Sequence, residues 1–237
     1  MEKPHIILVP GFWLGAWAWD EVTPQLRAAG HRVSALTLPG LESASTDRSA
    51  VTIEDHVDAI VTAIDAVGEP VVLVLHSGSG FPGYAATDRV PEKVLAAIYV
   101  DTGPGIGAMN PEFDGSDYPL PDAEDLAEQE NLEGLTEEHL VVFRDRAIPQ
   151  PGAALREAVE LSNDARLDIP TTVICTSFSS DDYRDAVAEG YAFVAGLAEL
   201  RDVTYFDMPT SHWPMWSRPD DLADLIAQVA DGTHPPT

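Results

Sequence analysis

The chain has 237 residues, 45% of them hydrophobic and 8% aromatic, which is enough apolar material for one sizeable core in a single domain spanning residues 1–237. Its 40 acidic and 13 basic residues give a net charge of −27, and because nucleic acids and anionic membranes bind to basic patches, we expect neither as a partner. No apolar run approaches the roughly 20 residues that span a bilayer, and the first residues lack a signal-peptide layout. We therefore expect a soluble, cytoplasmic protein.

The sequence gives no support for a metal or a cofactor. Cys175 is the only cysteine and lies in an apolar run, so we expect a buried core residue rather than a disulfide or a thiolate ligand. No phosphate-cradling glycine loop follows the first apolar run, and no His/Asp/Cys cluster has metal-ligand spacing. The acidic stretch 122–130 lacks the glycine and alternating oxygen ligands of a calcium loop, and we interpret it as a solvated helix face.

Short apolar runs alternate with helical patterns along most of the chain. The first run, residues 5–9, stops at Pro10 and Gly11, as a buried strand followed by a turn would. Aromatic residues crowd that turn, and we expect Phe12 and Trp13 to line a pocket while Trp17 and Trp19 pack in the core. The other predicted strands are residues 32–36, 71–75, 94–100, 172–175 and 203–207, and the predicted helices are residues 22–29, 52–67, 80–88, 183–200 and 219–229.

The segment from residue 105 to about residue 169 interrupts this alternation. It is rich in Pro, Gly and acidic residues and contains two helical patterns, near residues 126–132 and 137–146. We interpret it as a helical cap inserted above the sheet. The strand and helix units on either side predict an α/β fold with a mostly parallel, doubly wound sheet, in which ligands bind beyond the carboxyl ends of the strands.

The run 71–75 leads directly to Ser77, which small residues follow at Gly78 and Gly80. A buried strand that ends in such a turn is typical of a nucleophile elbow, where a strained backbone exposes a serine hydroxyl. A serine hydroxyl is a weak nucleophile at neutral pH and needs a base, for which His212 is the candidate. Asp101 ends the next predicted strand and would orient that histidine.

Ser77, Asp101 and His212 follow one another in the chain order of the α/β-hydrolase triad. The sequence resembles this superfamily over nearly its whole length, and is most similar to small bacterial hydrolases related to plant esterases and hydroxynitrile lyases. Residues 6–12 resemble the first strand and oxyanion turn of that family, and residues 75–80 resemble its elbow. Residues 210–222 are similar to its histidine loop and last helix.

The resemblance implies an oxyanion hole formed by the backbone N–H groups of Phe12 and Gly78. The chain departs from the common Gly-x-Ser-x-Gly pattern of the family, because Leu75 and Ser79 stand where it has glycines. Pro10 also replaces the usual histidine before Gly11. Ser79 is a second, less favoured candidate for the nucleophile.

The identity of the acid stays open at this point. Most family members carry it after the next-to-last strand, where this chain has residues 175–178 and no carboxylate. Asp101 is favoured, and Asp181 and Asp182 are the alternatives. We expect Trp13, His76 and Trp213 to contact the substrate.

These features predict a serine hydrolase that cleaves a small apolar carboxylic ester or lactone through an acyl-enzyme, with that small molecule as its partner. Two alternatives keep the same fold. One is a lyase, cyclase or epimerase that uses His212 as acid and base without an acyl-enzyme, and the other is a catalytically silent binding protein. The sequence carries no signal for an oligomeric state.

Overall fold

The computed structural model describes residues 3–233. Six strands form one sheet, and they are β1 His5–Val9, β2 Val33–Ala35, β3 Val71–His76, β4 Val94–Val100, β7 Thr171–Cys175 and β8 Val203–Asp207. A separate antiparallel pair consists of β5 Asp117–Tyr118 and β6 Gln150–Pro151. The strands of the large sheet are parallel and lie in the order β2-β1-β3-β4-β7-β8. The predicted α/β architecture is confirmed, and every pairing within this six-stranded sheet is parallel.

The helices are α1 Thr23–Ala28, α2 Ile53–Val67, α3 Gly80–Arg89, α4 Ala123–Gln129, α5 Glu137–Arg146, α6 Ala153–Arg156, α7 Ser180–Glu189, α8 Pro214–Ser217 and α9 Pro219–Ala230. The helix predicted over residues 183–200 is wrong in its second half. Gly190 adopts a left-handed conformation (φ 78°) that ends α7, and the chain continues as a 3-10 helix over Ala192–Ala198. No helix within residues 3–233 is long and apolar enough to cross a lipid bilayer.

Each face of the sheet has its own apolar core, because successive side chains of a strand point to opposite faces. Ile7 and Leu73 belong to the core beneath α2 and α3, whereas Ile6 and Val72 belong to the core beneath α1 and α9. Cys175 is buried in the first of these cores, as predicted. The strands are thus covered on both sides, and their carboxyl ends are left to form a site.

The segment 105–169 contains β5, β6 and the helices α4 to α6. Helix α5 has the predicted bounds, but α4 begins three residues earlier than the predicted pattern, because the Asp122 side chain accepts hydrogen bonds from the first free N–H groups at residues 124 and 125. Trp13 connects this segment to the turn after β1. Its Nε1–H donates to the carbonyl of Tyr118 at 2.9 Å, and its own carbonyl accepts from the N–H of Ile148 at 3.0 Å.

Candidate active site

Ser77 lies on a sharp turn between β3 and α3. Its backbone has a φ of 51°, a left-handed conformation that a residue with a side chain adopts only at a cost. The turn also fits closely against the loop after β1, because a Cβ atom at Gly11 would lie 2.6 Å from Cβ of Ser77. The elbow geometry predicted from the sequence is therefore present.

The two departures from the family pattern are accommodated by their neighbours. Leu75 is fully buried against Gly83 of α3, where an added Cβ atom would lie 2.2 Å from the Leu75 Cδ2 atom. Ser79 is buried and its hydroxyl donates to the carbonyl of His76 at 2.8 Å and to that of Val9 at 3.3 Å. Ser79 therefore holds the turn together and does not present its hydroxyl to solvent.

A continuous chain of hydrogen bonds joins three side chains from the carboxyl ends of different strands. Nε2 of His212 lies 2.8 Å from Oγ of Ser77, and Nδ1 of His212 lies 2.6 Å from Oδ2 of Asp101. With the Nδ1 proton donated to the carboxylate, Nε2 is left as the acceptor for the serine hydroxyl. The structure thus brings together the three residues that the sequence singled out.

The alternative acids have other partners. The Asp182 carboxylate caps α7 by accepting from the N–H and the hydroxyl of Ser179 at 2.8 and 2.6 Å. Asp181 is exposed and forms an ion pair with Arg184 at 2.8 Å. Neither carboxylate bonds to His212, so the geometry favours Asp101.

Asp101 is held by the loop after β7, the position at which most family members carry the acid. Its Oδ1 accepts from the N–H groups of Thr176 and Ser177 at 3.0 and 2.9 Å, and its Oδ2 accepts from Oγ of Ser177 at 2.5 Å. Burial raises the pKa of Asp101, but the hydrogen bonds from His212 and Ser177 and the charge of His212 outweigh burial and lower the pKa overall. Sequence reasoning missed Ser177, although its position after β7 was a signal that this loop faces the acid.

Glu130 is a second carboxylate near His212, and the sequence pattern did not point to it either. The stretch 122–130 does form a helix with a solvated face, but α4 ends at Gln129, and the side chain of Glu130 lines the cavity above Ser77. One Glu130 oxygen lies 3.8 Å from Nδ1 of His212. Burial lowers the pKa of His212. The hydrogen bond to Asp101 and the charges of Glu130 and Asp101 outweigh burial, so the pKa of His212 is raised overall above its usual 6.5.

His76 and Trp213 do not line this cavity, which corrects the expectation that they contact the substrate. The His76 ring is fully buried beneath His212, with its Nε2–H donating to the His212 carbonyl at 2.7 Å. Burial above all lowers the pKa of His76, to about 3, so its ring is neutral. Trp213 is buried with its ring 5.0 Å from that of His212 and packs on Phe143 of α5. Both residues position the histidine loop from below.

Phe12 and Gly78, the predicted oxyanion residues, lie on either side of Ser77 in the cavity wall. The Phe12 N–H donates no hydrogen bond within residues 3–233. The Gly78 N–H lies in the first turn of the 3-10 helix Ser77–Ser79, where such groups have no acceptor within the helix. The Phe12 ring lies so close to Gly78 that an added Cβ atom there would be 2.3 Å from it.

The cavity has a volume of about 480 Å³, a size that suits a small organic molecule. Its walls are mainly apolar, and Trp13 contributes to them as expected, together with Phe113 and Tyr118 from the segment 105–169. Within residues 3–233, three residues other than glycine have a positive φ, and they are Trp13, Ser77 and Asp101. Because all three line this cavity, the backbone strain of the described chain is concentrated at one site.

Comparison with known proteins gives the family of the chain. The model of the alpha/beta hydrolase family matches residues 6–225. The chain belongs to the alpha/beta hydrolase family. Over 104 residues the chain is 42% identical to Esterase PIR7B of Oryza sativa subsp. japonica, a match that spans 42% of the chain and only 38% of the length of that esterase. Methylesterase 9 of Arabidopsis thaliana is 26% identical over 96% of the chain and 98% of its own length.

Solved structures of similar fold cover nearly the whole chain. A methylesterase from Arabidopsis superposes with a TM-score of 0.75 at 20% identity, over 97% of this chain and 99% of that one. Methylketone synthase I from tomato, crystallised with 2-tridecanone, superposes with a TM-score of 0.72 at 18% identity, over 99% of this chain and all of that one. These likenesses show the alpha/beta hydrolase fold.

Proposed function

We propose that the protein is a serine hydrolase that cleaves a small, mainly apolar carboxylic ester or lactone through an acyl-enzyme. The observation that carries the proposal is the hydrogen-bonded chain from Ser77 through His212 to Asp101, with distances of 2.8 and 2.6 Å. The chain supplies the nucleophile, the base and the orienting acid from its own side chains, so the reaction needs no metal or cofactor.

The chemistry follows from the positions of the protons. Nε2 of His212 takes the hydroxyl proton as Oγ of Ser77 attacks the ester carbonyl carbon, and the N–H groups of Phe12 and Gly78 stabilise the resulting oxyanion. Asp101 stabilises the imidazolium, which then gives its proton to the leaving alkoxide as the carbon–oxygen bond breaks. Water attacks the acyl-enzyme as His212 takes its proton, and the imidazolium returns that proton to Oγ of Ser77 as the acyl–oxygen bond breaks and the acid leaves.

The cavity supports an apolar substrate rather than a free carboxylate or a phosphate. Aromatic side chains such as Phe12, Trp13 and Phe113 line it, and none of the described residues in its wall is Lys or Arg. An anionic group would therefore lose its hydration without gaining a cationic partner. This composition supports a neutral acyl chain against the aromatic wall.

Hydrolysis of p-nitrophenyl butyrate by the Ser77→Ala variant tests the nucleophile. We expect the wild-type protein to release p-nitrophenol with an initial burst, and the variant to lose at least about 10³-fold in kcat. Ser79→Ala is the matched control, because it removes a neighbouring hydroxyl that bonds only to backbone carbonyls. Full activity in Ser77→Ala would exclude an acyl-enzyme on Ser77 and overturn the proposed mechanism.

The acid is tested by Asp101→Asn with Asp182→Asn as its control. The amide at residue 101 can donate to Nδ1 of His212, which favours the wrong tautomer, and we expect kcat to fall by about 10³ to 10⁴. Asp182 caps α7 and bonds to neither His212 nor Ser77, so its variant should retain activity. The reverse pattern would move the acid to Asp182.

A further inference from the structure

The Glu130 carboxylate has no hydrogen-bond donor within residues 3–233, although its side chain is only 29% exposed. The Glu130 carboxylate lies 3.8 Å from Nδ1 of His212. That ring nitrogen carries one proton, and the proton is donated to Asp101 at 2.6 Å. His212 therefore cannot satisfy Glu130 by a hydrogen bond. A half-buried carboxylate without a donor is costly, and its oxygens face the cavity in which the substrate is expected.

Aromatic rings line the same cavity as this carboxylate. Tyr118 lies at the centre of a cluster, with its ring centroid 5.4 Å from that of Trp13, 5.8 Å from that of Phe113 and 6.5 Å from that of Phe12. Glu130 lines the same cavity as Tyr118, Trp13 and Phe113. Burial and the negative charge of Glu130 both raise the pKa of the Tyr118 hydroxyl. Aromatic faces next to a carboxylate form the kind of site that binds an alkylammonium cation, through cation–π attraction and the opposite charge.

The electrostatics of the whole molecule favour the same type of ligand. The chain carries a net charge of −27, so a cation is attracted to it from a distance and an anion is repelled. No Lys or Arg among the described cavity residues competes for Glu130. The Glu130 carboxylate, in the cavity that contains Ser77, is thus available to the substrate.

We propose that the cavity selects esters that carry an ammonium group close to the ester bond, and that Glu130 with the Tyr118 aromatic cluster binds this group. The inference rests on the proposed esterase function and narrows its substrate class. The acyl chain would lie on the remaining apolar wall, while the ammonium group would supply the positive charge that Glu130 lacks. Glu130 would then determine specificity without taking part in proton transfer.

Two esters of nearly the same shape separate charge from size. Butyrylcholine carries a trimethylammonium group, and 3,3-dimethylbutyl butyrate carries an uncharged tert-butyl group in its place. At pH 8 we expect the wild-type protein to show a kcat/KM for butyrylcholine about tenfold above that for the neutral ester, the effect of roughly one desolvated cation–π or charge contact. In Glu130→Gln this ratio should fall severalfold, because the variant keeps the aromatic cluster but loses the charge of the carboxylate.

Glu128→Gln is the control for the loss of net charge. Glu128 is an exposed residue of α4 that does not line the cavity, and its variant removes the same charge as Glu130→Gln. The ratio should stay at the wild-type value in this variant. A ratio that is unchanged in Glu130→Gln, or a wild-type preference for the neutral ester, would overturn the proposal.

Binding to Ser77→Ala tests the inference independently of turnover. Calorimetry should give a Kd for butyrylcholine about tenfold below that for 3,3-dimethylbutyl butyrate, with the difference lost in the Ser77→Ala, Glu130→Gln double variant. If the wild-type protein hydrolyses neither ester but Ser77→Ala shows this preference, the hydrolase proposal fails and the cation site stands. Equal affinities for the two esters would refute the cation site whether or not either is hydrolysed.

Discussion

The hydroxyl of Ser177 donates to Oδ2 of Asp101 at 2.5 Å. The loop after β7 has no acid at this position, and it instead holds the acid that follows the neighbouring strand β4. The same oxygen of Asp101 accepts the proton of His212. Ser177 therefore fixes the direction of the carboxylate and, through it, the tautomer of the imidazole. The N–H groups at residues 176 and 177 occupy the other oxygen, so the carboxylate has little freedom to rotate.

We expect Ser177→Ala to lower kcat by about tenfold, the equivalent of one hydrogen bond to a charged group. KM should change little, because Ser177 does not line the cavity. Steady-state kinetics with p-nitrophenyl butyrate separate the two parameters, and Ser177→Thr, which keeps the hydroxyl, should recover most of the loss. An increase in KM at constant kcat would show that Ser177 contacts the substrate instead of positioning Asp101.

The pH dependence of the reaction should report the protonation of His212. The base must be neutral, so kcat/KM rises with pH and reaches its plateau above the pKa of His212. The hydrogen bond to Asp101 and the charges of Glu130 and Asp101 raise this pKa above its usual 6.5. The other titratable ring nearby, His76, stays neutral because its pKa is lowered to about 3. We expect the acid limb of the profile to lie above pH 6.5.

Replacing Glu130 by Gln removes one of the charges that raise the pKa of His212. The acid limb should therefore move to lower pH in this variant, whereas Glu128→Gln should leave it in place. The measurement is a kcat/KM profile for p-nitrophenyl butyrate from pH 5 to 9. A shift of the limb to higher pH would contradict the assigned direction of the Glu130 effect.

Gly83 accommodates Leu75, and the two positions should be coupled. Gly83→Ala places a methyl group against the buried Leu75 side chain, and we expect it to destabilise the protein by about 1–3 kcal/mol. Leu75→Ala opens space for that methyl group. The double variant should therefore lose less stability than the sum of the two single variants, by about 1 kcal/mol or more in urea unfolding. Strict additivity would show that the contact is not tight.

Arg166 joins the end of the segment 105–169 to two helical elements. Its side chain is 7% exposed, and its guanidinium pairs with Asp88 at 3.2 Å and with Glu199 at 2.7 Å. Because Arg166→Ala leaves the buried carboxylate of Asp88 without its cation, we expect a loss of about 3 kcal/mol in the free energy of unfolding. Arg201 is the control, since its ion pair with Asp168 is exposed and its removal should have no measurable effect. Equal losses in the two variants would contradict a buried network.

The sequence predicted the elements that place the site, because parallel strands leave clear apolar runs and the strand ends then converge. Ser77, Asp101 and His212 each follow such a run, and the structure brings them into hydrogen-bond contact. His76 was placed wrongly because it is next to Ser77 in the chain. The turn at Ser77 lifts that side chain above the sheet, whereas the preceding residue points below it.

Ser177 and Glu130 were beyond sequence reasoning for a different reason. Their roles depend on contacts between segments 76 and 82 residues apart along the chain, and no periodic pattern encodes such contacts. These contacts depend on the conformation of the loops. The positive φ of Asp101 turns its carboxylate toward the loop after β7, and the end of α4 at Gln129 turns Glu130 into the cavity.

Labelling by a fluorophosphonate shows whether a base activates Ser77, because this reagent reacts with a serine that has become nucleophilic. We expect one adduct per chain by intact mass, located on Ser77 by peptide mapping, and no adduct in Ser77→Ala or in His212→Ala. An adduct on Ser79, or labelling that persists in Ser77→Ala, would show that Ser77 is not the nucleophile.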